Sequence, residues 1–135
     1  VAAHLFPTLV RGGEEPDITL VTYGGMLPVV EAVARYLGEE EELDVEIVAP
    51  SLLSPLSKTG LIGHLLNRTG VVIIEESHHD FGVSAEIGAS LLDSSYSGRF
   101  LRIGTPPVPI ASARSLERQI LLDEDMLIKQ ILDWI

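Results

Sequence analysis

The run Val71-Val72-Ile73-Ile74 constrains this chain more than any other feature. Four consecutive β-branched residues favour an extended backbone. The run does not alternate with polar residues, which marks a strand covered on both faces. Other strands are read in the same way. Ile18-Thr19-Leu20-Val21-Thr22-Tyr23 runs straight into Gly24-Gly25, a buried strand followed by a tight turn. Val45-Glu46-Ile47-Val48-Ala49 is stopped by Pro50, Arg99-Phe100-Leu101-Arg102-Ile103 reads as the last strand, and Thr8-Leu9-Val10-Arg11 is a short, weakly patterned first one.

Helical periodicity fills the gaps. Leu27, Val30, Ala34 and Leu37 share one face, with Pro28 tolerable in the first turn and Gly38 placed to end the helix. The acids Glu39 to Glu42 then read as a solvated loop. Pro50 and Pro55 forbid regular pairing around Leu53-Ser54-Pro55-Leu56. A short helix follows, with Leu61, Leu65 and Leu66 inward and an end near Gly70. Ala85, Gly88, Ala89 and Leu92 predict a helix whose small face packs closely on the sheet. Asp123 is the N-cap of a final helix, Glu124 and Asp125 suit its positive end, and Leu127, Ile128, Ile131, Leu132 and Ile135 form its apolar stripe. Trp134 suits core or interface. Strand and helix alternate, so the fold class is α/β, a mostly parallel sheet with helices on both faces. At 135 residues this is one domain, 1–135.

Charge narrows the partners. Nine Lys and Arg oppose 20 Asp and Glu, a net charge of −11. No basic footprint exists for nucleic acid, and an anionic membrane surface would repel the chain. No apolar run approaches the ~20 residues of a membrane span. Without cysteine there is no disulfide, thiolate zinc site or cysteine nucleophile. The start, Val1-Ala2-Ala3-His4, lacks the regions of a signal peptide, and the absence of an initiator Met suggests a piece of a longer polypeptide.

Chemistry is sought outside the carboxyl ends of the strands, where open α/β sheets hold ligands. Tyr23-Gly24-Gly25 is a glycine turn entering a helix, but it matches neither phosphate-binding glycine pattern. Glu75-Glu76-Ser77-His78-His79-Asp80-Phe81-Gly82 gathers carboxylates, imidazoles and a hydroxyl. Adjacent histidines in an extended chain point oppositely, which speaks against a metal site there, and His4 and His64 are isolated. Ser51, Ser54 and Ser57 lie in no nucleophile-elbow motif. Gly104-Thr105-Pro106-Pro107-Val108-Pro109 is a stiff positioning or docking element with no titratable group. Two classes survive: an accessory or assembly domain, and a free-standing module binding a small or anionic ligand at the loops of Gly24 and of Ser77 to Gly82.

The order of the segments resembles the C-terminal domain of the transketolase superfamily, most nearly that of beta subunits of thiamine-diphosphate-dependent 2-oxo acid dehydrogenases of the pyruvate or branched-chain type. The resemblance rests on Ile18 to Met26 with Gly24, on Val45 to Val48 followed by Leu53-Ser54-Pro55-Leu56, and on Val71 to Glu76 followed by Phe81-Gly82-Val83-Ser84-Ala85-Glu86-Ile87. Pro107-Val108-Pro109 and Leu122-Asp123-Glu124 complete it. Ala49-Pro50-Ser51 stands where the family has Asp-Leu-Arg, Ser77-His78-His79-Asp80 replaces a glycine-rich run, and Thr105 takes a position expected to be Asp. The resemblance implies a three-layer α/β/α sandwich with a mixed five-stranded sheet, its first strand antiparallel to the rest. It implies no catalytic, cofactor or metal residue in this domain, because thiamine diphosphate and Mg²⁺ lie in other domains of the full enzyme. It implies partnership with those domains in a homodimer or α2β2 heterotetramer, and docking onto a dihydrolipoyl acyltransferase. Asp123, Glu124, Asp125 and Ile135 are the candidate docking residues. The implied location is the cytoplasm of a prokaryote or the mitochondrial matrix of a eukaryote, not the exterior.

Overall fold

The computed structural model describes residues 8–11, 15–50, 58–78, 80–105 and 122–135. Pro55, His79, Pro107 and Pro109 fall outside them, with the expectations placed on Leu53 to Leu56 and on Pro106 to Pro109. The elements are β1 (Thr8–Arg11), β2 (Ile18–Val21), a 3-10 turn (Gly24–Met26), α1 (Leu27–Glu40), β3 (Val45–Val48), α2 (Lys58–Leu65), β4 (Gly70–His78), α3 (Val83–Asp93), β5 (Arg99–Thr105) and α4 (Glu124–Trp134).

The strands form one sheet in the order β1-β3-β2-β4-β5. β2, β3, β4 and β5 are mutually parallel, with Ile18 opposite Val45, Leu20 opposite Val72 and Val72 opposite Leu101. β1 pairs with β3 at the edge in antiparallel register, Thr8 opposite Val48.

Period-two alternation sends β4 both ways. Val72 and Ile74 join Leu20 and Ile47 under α1 (Val30, Val33, Ala34, Leu37) and α4 (Leu127, Ile128, Ile131). Val71 and Ile73 join Val21 and Val48 under α2 (Leu61, Ile62, Leu65) and α3 (Ile87, Leu91). Each buried Val, Leu or Ile side chain contributes roughly 1.5–3 kcal/mol relative to exposure. The apolar run is explained: both of its faces are interior.

Several boundaries differ from the sequence reading. α1 does not stop at Gly38 but runs to Glu40, so half of the expected acidic loop is helix; all four acids are still exposed. The left-handed residue that ends it is Glu42 (φ 55), after which Leu43 N–H donates to the Leu37 carbonyl at 3.1 Å. α2 ends at Leu65, and Gly70 starts β4 instead of closing the helix. β4 continues to His78 because β5 pairs along it, across an irregularity between Ile74 and His78. Glu75 and Glu76 are therefore strand residues, not loop residues.

α3 is rotated from the expected face. Ser84, Ile87, Gly88 and Leu91 are buried, whereas Ala89 and Leu92 are exposed. In α4, Asp123 caps as expected, its Oδ1 accepting from Met126 N–H at 2.8 Å. Ile135 leaves the expected stripe and is 53% exposed. Trp134 lies on Gly70, where a Cβ would stand 3.2 Å from the indole, and the Arg99 guanidinium sits 4.5 Å over its ring. Arg99 also donates to the Trp134 and Ile135 carbonyls, closing the helix end.

Candidate functional site

The order in which the strands are laid down reverses at β2: β3 lies on one side and β4 on the other. In a doubly wound sheet that switch point leaves a crevice at the strand ends. Here three of the expected elements meet there. β2 delivers Tyr23 and the glycine turn, β4 delivers Glu75 and Glu76, and α3 starts beside them.

Gly24 has φ +62, a conformation in which a side chain would be strained. At Gly25 a Cβ would stand 3.0 Å from Glu76 Oε1, a tight contact that the exposed Glu76 side chain relieves only by shifting. Glu75 is fully buried. Its Oε1 accepts from Ser84 Oγ at 3.0 Å, and its Oε2 accepts from Tyr23 Oη at 3.1 Å and from Ser84 N–H at 3.2 Å. The N-cap of α3 is Gly82, which has no side chain to cap with; Glu75 supplies the missing acceptor from the neighbouring strand, where the helix dipole favours a carboxyl group. Arg102 Nε donates to Ser84 Oγ at 3.0 Å, extending the network onto β5. Thr105, in the position expected to be Asp, is buried and donates from Oγ1 to the Glu76 carbonyl at 3.2 Å.

Each oxygen of Glu75 is thus held by donors of its own domain. A general acid or base needs a reacting atom within hydrogen-bond reach. This carboxyl instead ties the start of α3 to β2.

A second buried carboxyl was not singled out from the sequence. Glu46, in mid-β3, is 1% exposed. Its Oε1 accepts from Thr19 Oγ1 at 3.0 Å, from His64 Nε2 at 3.0 Å and from Arg68 Nε at 2.9 Å, and its Oε2 from Arg68 Nη2 at 3.0 Å. Burial pushes its pKa up, but the hydrogen bonds of Arg68, His64 and Thr19 and the charge of His64 outweigh burial and hold it below the ordinary value. His64 is therefore not isolated, as the sequence suggested. A polar residue inside a β-branched run, with His64 and Arg68 four apart near a helix end, was the available signal.

The remaining candidates do not converge. Phe81 is fully exposed, Gly82 caps α3, and Glu86 is exposed in its first turn. Asp123, Glu124, Asp125 and Ile135 are all exposed; the three acids stand at the start of α4 and Ile135 at its end. Among the described residues no group of three or more His, Asp or Glu is arranged to hold a metal, and no helix is long and apolar enough to cross a membrane.

Comparison with known proteins gives a consistent picture. The family model of the transketolase C-terminal domain matches residues 9–127. The chain is 31% identical over 111 residues to pyruvate dehydrogenase E1 component subunit beta-1, mitochondrial, of Arabidopsis thaliana, covering 80% of this chain and 30% of the relative. It is 25% identical over 123 residues to acetoin:2,6-dichlorophenolindophenol oxidoreductase subunit beta of Bacillus subtilis (strain 168), covering 89% and 36%. Among solved structures, a split gene transketolase described as an inactive beta4 tetramer has a TM-score of 0.72 at 20% identity, over 94% of this chain and 40% of that one. The 2-oxoglutarate:ferredoxin oxidoreductase from Magnetococcus marinus has a TM-score of 0.65 at 19% identity, over 93% and 19%. These structural likenesses speak to the fold. The chain spans about a third of the length of the curated relatives it matches.

Proposed function

The chain belongs to the transketolase C-terminal domain family, and we propose that it is the non-catalytic assembly domain of a thiamine-diphosphate-dependent 2-oxo acid dehydrogenase beta subunit. The enzyme of which it is a part would decarboxylate a 2-oxo acid oxidatively and pass the acyl group to a lipoyl arm. Thiamine diphosphate and Mg²⁺ would be held by its other domains. This domain would support the dimer or α2β2 tetramer and dock the acyltransferase, the three acids of α4 forming one edge of the docking surface. We take the antiparallel edge strand and the two helical layers as the family's own frame.

The observation that carries this reading is the closed Glu75 network. The crevice where a sheet of this kind would take a ligand is spent on Tyr23, Ser84 and Arg102. The residues present do not fit a diphosphate: Glu75 already takes the Tyr23 hydroxyl, the Ser84 hydroxyl and the Ser84 N–H, the donors an anion at these strand ends would need. No step of the reaction is assigned to these residues. Calorimetric titration of the chain with thiamine diphosphate and Mg²⁺ tests the reading. No binding and no turnover of pyruvate are expected; micromolar binding overturns it.

A further inference from the structure

We draw no further inference here: the strongest candidate, the apolar groove of about 370 Å³ between α3 and β5 walled by Ala85, Ala89, Leu92, Tyr96 and Phe100, lies on a face for which nothing in the structure shows what covers it.

Discussion

Thr22, directly after β2, is fully buried, and its hydroxyl oxygen has no hydrogen-bond partner among the described residues. An unpaired buried hydroxyl carries its desolvation cost without return. Thr22→Val, nearly the same shape, should therefore stabilise the chain by about 1 kcal/mol. Calorimetry should read this as a rise of about 4 °C in melting temperature; a fall would mean that the hydroxyl is satisfied. Other single residues were half legible. The sequence marks Glu75 as a strand-end carboxyl beside a helix, but not its burial, because burial depends on β4 running on to His78 beside β5. Nor does it reveal that Ser84, unremarkable by itself, is the residue to which Glu75 and Arg102 both turn.

At the scale of elements, Glu46 fastens α2 and the turn after it to the sheet through His64 and Arg68. Its pKa lies below the ordinary value in the folded chain, so the network's contribution is complete above the unfolded value of 4.5 and is lost as pH falls through the folded one. Glu46→Gln should cost about 3–5 kcal/mol at pH 7, since it leaves Arg68 beside a buried site without its counter-charge. Urea unfolding from pH 7 down to pH 3 should show a flatter acid limb in that variant. An unchanged slope would remove Glu46 from the acid response. The strands themselves were legible because each is a β-branched run, with both faces of β4 covered. Helix ends were not. Glu42 takes the left-handed backbone expected of a glycine, and α3 turns its Ser84 side inward to meet Glu75, which periodicity of apolar residues alone does not encode.

For the whole molecule, the net charge of −11 sets how it meets others. The proposed acyltransferase docking, onto a partner surface of opposite charge, should be steered by that field and slowed by salt. Asp123→Asn, Glu124→Gln and Asp125→Asn together test the α4 edge, and Asn keeps the cap that Asp123 provides. The association rate at 0.05 M NaCl should fall several-fold in the triple variant; an unchanged rate removes these acids from the surface. The sheet has one more consequence, in time. β2 pairs with β3, and β4 with β5, through crossovers whose partners lie about 30 residues apart. None of these pairs is a hairpin that could zip from its own turn. The chain must close a long loop before each pair of parallel strands is rewarded, so helices can form early, but the sheet assembles late and slowly. Until it does, the apolar run at Val71 that organises the folded core is the segment most open to pairing with the wrong chain.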